Sequence, residues 1–187
     1  MYKRQGWSWE NVLPYFLKSE NNELGKSEFH NDSGPITVAN KKINLKLLDE
    51  FQNAAEEYGI PKTNDFNTGN NYGVGFFQFT TNFNKVGLKL RCSAAKGYLN
   101  PVKKRSNLKI VTNAHVQKIN FEGKKAIGVN YFTGEKINTV NANKEVILSA
   151  GSIGSPHILQ VSGIGKVNKL KNLGIEIVHE SNGVGKN

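Results

Sequence analysis

Apolar residues follow a helical period in the first half of the chain and a two-residue period in the second. Val12, Leu13 and Phe16 share one face at helical spacing. They predict a helix that Ser8 caps and whose first turn carries Glu10. Pro14 is expected to break or kink it early. Trp7 and Trp9 are assigned to the core as anchors. Residues 20–33 are polar and predict a loop, with an Asn31-Asp32-Ser33 sequon that matters only in an exported chain. Gly34 to Val38 predicts a turn entering a short strand. Leu45, Leu47, Leu48, Phe51, Ala54, Ala55 and Tyr58 recur at helical spacing, and Gly59 and Pro61 punctuate the end.

From Thr63 to Asn84, glycine, asparagine and phenylalanine alternate. Such a run suits either a loop-rich cavity wall or an ordinary irregular connection. Arg91 to Leu99 predicts a short helix opening at Ser93 and ended by Pro101. Beyond Arg105, Leu108–Val111, Val116–Phe121 and Ile127–Phe132 predict three strands, with Gly123 at the last turn and Gly134 opening the next. Val146-Ile147-Leu148, inside Glu145 to Gly151, predicts a strand buried on both faces, as in a parallel sheet. The pattern as a whole is mixed α/β.

The run Gly151 to Gly165 follows at once and predicts glycine turn, then helix. Ser155 is expected at the N-cap, Pro156 at the first helical position, and Gly163 in the left-handed conformation at the end. A buried strand delivering glycines to a helix N-terminus suits an anion. A phosphate-bearing cofactor and plain α/β packing both remain open at this point. No G-x-G-x-x-G and no G-x-x-x-x-G-K-[ST] occurs in the chain.

Composition narrows the field. The 187 residues suggest one domain, two at most. Apolar content of 37% allows a packed core, and 21% charged residues fits poorly with a disordered polyelectrolyte. No stretch approaches the ~18 apolar residues of a membrane span, and no signal-peptide pattern follows Met1. One cysteine, Cys92, excludes an internal disulfide and any multi-cysteine metal site. It is taken as a packed free thiol despite the neighbouring Arg91 and Lys96. The net charge is +10, but arginine stands only at Arg4, Arg91 and Arg105. Arginine is the residue of choice for phosphate and base contacts. The charge therefore reads as lysine drift, and a nucleic-acid partner is not expected. The histidines His30, His115, His157 and His179 form no metal spacing and no paired acid–base constellation in the sequence.

Gly151 to Gly165 resembles, at every position, the second signature of the glucose–methanol–choline oxidoreductases, which depend on FAD. The likeness extends along the chain. Gly6-Trp7-Ser8-Trp9, Val12 to Phe16 and Ser19-Glu20 resemble the start of the family's connecting region. Gly87, Arg91 to Ala95, Tyr98-Leu99 and Pro101-Val102 resemble insect glucose dehydrogenase-type members. Asn107 to Ala114, with Val116 and Ile119, resembles the strands that follow, and Gly183 to Asn187 the family's V-G-x-N stretch.

The resemblance implies a fragment of a two-domain fold, an FAD-binding domain and a substrate domain on an antiparallel sheet. Residues 1–29 would be the connecting region, 30–101 part of the substrate domain and 102–187 part of the FAD-binding domain. FAD is the implied cofactor. Val116 would contact the adenine through its backbone, and Ala150, Gly151 and Ser152 would lie near the adenosine end. Gly154 and Ser155 could be structural only. The family's glycine loop and C-terminal catalytic histidine match nothing here, so no catalytic residue is assigned. The implied reaction is oxidation of the CH–OH group of an alcohol or sugar, hydride passing to flavin and then to oxygen or a quinone. A truncated, non-catalytic product or binding module is the alternative. Localisation stays open, a secreted one being compatible with insect-type members.

Overall fold

The computed structural model describes residues 6–40, 45–83 and 89–186, with backbone alone at 82, 83 and 89. Arg4, Gly87 and Asn187, named above, lie outside the described residues. The chain forms two compact units, Met1–Lys109 and Ile110–Asn187.

In the first unit, helix α1 (Trp9–Ser19) runs directly into strand β1 (Glu20–Asn22). Ser8 holds the N-cap position, but its hydroxyl accepts from the Asn11 side-chain amide at 2.7 Å instead of a helix N–H. Pro14 does not break α1. Its ring removes only the bond to the Glu10 carbonyl, and Glu10 is exposed, so water can solvate that oxygen. The tryptophans are not core anchors. Trp7 is 75% and Trp9 53% exposed, and the Trp9 ring lies 6.4 Å from that of Phe29.

A four-stranded sheet orders β1, β2 (Ile36–Ala39), β3 (Phe79–Phe83) and β4 (Lys89–Arg91). β1 pairs parallel with β2, and the other pairs are antiparallel. The 20–33 stretch is thus not all loop, because β1 finds a partner in β2. Helix α2 (Lys46–Glu57) follows the predicted spacing and closes at Gly59, whose N–H donates to the Glu56 carbonyl. Its apolar stripe is largely unburied, with Leu47, Phe51 and Tyr58 exposed. The short helix predicted at Ser93 is one π-helical turn, Ala95–Leu99. Beside it, Cys92 is buried, its thiol 3.8 Å from the Pro35 carbonyl.

The strand predicted at Leu108–Val111, where the first unit ends and the second begins in sequence, is not formed and has no ladder partner among the described residues. The sheet of the second unit is an antiparallel meander, β5 (Ala114–Glu122), β6 (Lys125–Thr133) and β7 (Lys136–Asn141), turning at Gly123 and Gly134. A polar row crosses one face: Asn120 and Thr139 both donate to Asn130 Oδ1, at 2.7 and 3.0 Å. β5 carries two register shifts, between Val116 and Lys118 and between Asn120 and Phe121.

The predicted buried strand at Val146–Ala150 is not formed. The run is unpaired, and Ile147 is 78% exposed. A strand needs a neighbour for its backbone groups, and no described strand runs beside it. Helix α3 (Gly151–Val161) has its N-cap at Ala150, five residues before the expected Ser155. Pro156 therefore lies inside it, and Ser155 Oγ accepts from the Ala150 N–H at 3.1 Å. At the other end Gly163 takes φ +89 as predicted. A Cβ there would run into the Glu176 carbonyl and Val178. Its own carbonyl receives the N–H groups of Val178 and His179, so β8 (Ile164–Gly165) lies parallel to β9 (His179–Glu180). Helix α4 (Val167–Asn172) closes the unit over Leu170, which is fully buried.

Candidate functional site

Ala150, Gly151 and Ser152 stand together at the start of α3, and Val116 stands on β5, the strand against which α3 packs. Gly151 has φ +80, a left-handed conformation that side-chain-bearing residues rarely adopt. That residue turns the unpaired run 145–149 into the helix. A Cβ on Gly151 would meet nothing within 4 Å, so the requirement is conformational, and the space in front of the turn is open.

Next to this turn, a cleft of about 570 Å³ runs along α3 from Ser152 onward, lined by Ser152, Ser155, His157, Gln160, Gly185 and Lys186 among others but not by Ala150 or Gly151. Gly183 to Lys186, the described part of the predicted V-G-x-N stretch, form one wall. Gln160 ties the helix to it by donating Nε2 to the Val184 carbonyl at 3.2 Å. The donor set is a helix N-terminus, the hydroxyl of Ser152 and the ammonium of Lys186. All three suit a phosphate-bearing group. Ser155 Oγ accepts from the Ala150 N–H while also lining the cleft. Val116 is half-buried on the edge strand β5, opposite Tyr131 and next to the first register shift. An edge strand carries backbone groups that the ladder leaves unpaired.

The first unit holds a second polar centre that the sequence reading missed. His30 is buried between two carboxylates, with Nδ1 2.9 Å from Glu20 Oε2 and Nε2 2.8 Å from Asp65 Oδ2. The Nε2 contact is close but lacks the in-line geometry of a hydrogen bond. Asn22 Nδ2 adds Glu20 Oε1 at 3.1 Å and Gln78 Oε1 at 3.2 Å. So a histidine taken as unpaired in the sequence is doubly paired in the fold. The partners lie 10 and 35 positions away, with no spacing that marks them; only the sheet and the irregular run after Pro61 bring them together. Among the described residues no group of acidic, histidine or cysteine side chains is arranged to hold a metal. Beside this centre a cleft of about 430 Å³ is walled by Trp9, Leu13, Phe16, Phe29 and Val38. The Thr63–Asn84 run contributes Asn67 and Thr80 to it, so that run is part cavity wall.

The glucose–methanol–choline (GMC) oxidoreductase profile matches residues 1–187. The chain belongs to the GMC oxidoreductase family. Family members with similar sequences include the oxygen-dependent choline dehydrogenase of Pectobacterium carotovorum, 43% identical over 184 residues, covering 98% of this chain and 32% of the relative. Human mitochondrial choline dehydrogenase is 40% identical over 183 residues, covering 98% and 30%. Among solved structures, an FAD-dependent oxidoreductase from Chaetomium thermophilum superimposes with a TM-score of 0.86 at 34% identity, covering 95% of this chain and 32% of that one. The chain spans about a third of the length of these relatives. The family's fold is the mixed α/β fold seen here, with antiparallel sheets, and its cofactor is FAD.

Proposed function

We propose that the chain is an internal portion of an FAD-dependent oxidoreductase that acts on the CH–OH group of alcohols. The observation that carries this is the start of α3: Ser152 and the first turn of the helix share one open cleft with Lys186, and the left-handed Gly151 stands next to its lining. Bound FAD supplies the capacity to accept hydride from the substrate carbon. This chain's residues bind and orient it. Ala150, Gly151 and Ser152 hold the adenosine end by backbone and hydroxyl donors, and Val116 offers edge-strand backbone to the adenine. Residues 102–187 serve the flavin side and 30–101 the substrate side. His30 pairs with Glu20 and Asp65, and no catalytic role is assigned to it.

The substrate class is an alcohol, and the choline dehydrogenases among the relatives favour an amino alcohol over a sugar. The sugar reading rests only on the likeness of Arg91 to Ala95, Tyr98-Leu99 and Pro101-Val102 to insect glucose dehydrogenase-type members. Turnover of choline against glucose by the holoenzyme that carries this chain decides between the two. The cofactor reading is tested by titrating the isotopically labelled chain with ADP and following backbone amide resonances. Val116, Gly151 and Ser152 are expected to shift together with one affinity. Unchanged resonances at all three overturn the assignment.

A further inference from the structure

Ser162 sits at the C-cap of α3 and is buried. Its hydroxyl accepts a hydrogen bond from the Ile119 N–H at 2.8 Å and donates one to the Ile158 carbonyl at 2.6 Å. The first bond leaves the helix and lands on β5. Ile119 faces Val129 in the β5–β6 ladder, yet its N–H points away from that ladder to the helix. β5 is an edge strand, so nothing else in its sheet takes that N–H. The bond also falls between the two register shifts of β5. The short stretch Lys118–Asn120 keeps its pairs with Gly128–Asn130 on one side, and the serine ties its other side to α3.

We propose that Ser162 is a positioning residue for FAD: its bridge from α3 to the Ile119 amide sets the helix start at Gly151–Ser152 and the Val116 edge in one rigid frame for the adenosine end. This rests on the FAD reading above. The frame has two arms. Val116 is three residues from Ile119 across one register shift, and Gly151 is at the far end of the helix that Ser162 closes. Without the hydroxyl, the buried Ile119 N–H loses its acceptor and β5 can slip against α3 at the irregular stretch. A misplacement of the order of an ångström between two contact arms weakens a ligand that needs both.

The test uses the labelled 187-residue chain as wild type, Ser162→Ala, Ser162→Cys and Ser162→Thr. Cysteine fills the space without a strong acceptor, and threonine restores the hydroxyl. Hydrogen exchange at the Ile119 amide and ADP affinity are measured well below each variant's melting temperature. A purely stabilising residue leaves that affinity unchanged. The Ala and Cys variants are expected to exchange Ile119 about tenfold faster or more, to bind ADP several-fold more weakly, and to shift less at Val116 and Gly151. Thr is expected to recover all three. Unchanged exchange or unchanged affinity in the Ala and Cys variants overturns the role of Ser162. A wild-type chain that shows no response to ADP overturns the FAD reading itself.

Discussion

His30 Nδ1 lies 2.9 Å from Glu20 Oε2, joining the end of α1 to the loop before β2. Asp65 closes on the other side of the ring at 2.8 Å, so one imidazole connects three segments of the first unit. Both contacts are largely shielded, with side-chain exposures of 7% for His30, 18% for Glu20 and 12% for Asp65. Removing one member of such a group strands its partners. His30→Ala is expected to cost about 3–5 kcal/mol in the first unit. Chemical denaturation followed by Trp7 and Trp9 fluorescence checks this, and a loss below ~1 kcal/mol would put the cluster with surface ion pairs.

Leu170 is the one large side chain fully buried among the described residues. Leu170→Ala is expected to cost about 2–5 kcal/mol. The loss should fall on the second unit, which amide exchange in β5–β7 can report separately from the first. Equal loosening of both units would contradict that.

Glu10 lies in the first turn of α1, and its carboxyl is held below the ordinary carboxylate value, chiefly by a hydrogen bond from Ser8 and then by its own backbone N–H. A lowered value means the carboxylate favours the folded helix. That contribution is present above the ordinary carboxylate range and is lost as pH falls through the lowered value. Ser8→Ala should raise the Glu10 titration toward its ordinary position. An NMR pH titration of the Glu10 carboxyl in both chains measures it, and identical curves would remove Ser8 as the cause.

FAD should not stay on the isolated chain through gel filtration. The chain has no G-x-G-x-x-G loop to hold the pyrophosphate, and the α3 cleft offers contacts only for the adenosine end. The visible spectrum of the eluted protein is expected to lack a stoichiometric flavin band. A retained band would show that the α3 cleft alone suffices.

What could be read from the sequence was whatever rests on local chemistry. The α2 helix, its Gly59 stop, the β5–β6 hairpin and the left-handed Gly163 all follow from spacing and glycine conformation. The signature run Gly151–Gly165 was legible as a unit, although its helix begins at Gly151 rather than near Ser155. That shift arises because a glycine at φ +80 can turn the chain without a capping side chain. What could not be read depends on long-range partners. Burial of Trp7 and Trp9 and pairing at Leu108–Val111 and Val146–Ala150 all need neighbours that periodicity does not name. The His30 centre and the Ser162–Ile119 bridge are of the same kind, with 43 positions between the bonded pair in the latter.

The unpaired run Val146–Ala150 has a consequence for handling the chain. It is mostly aliphatic, free of proline and uncharged after Glu145, and Ile147 is turned outward. Such a run recruits strands from other molecules and seeds cross-β stacking. In concentrated solution this chain should self-associate through that segment. Ile147→Lys, at a position where a charge blocks edge-to-edge growth, is the substitution that would keep it dispersed.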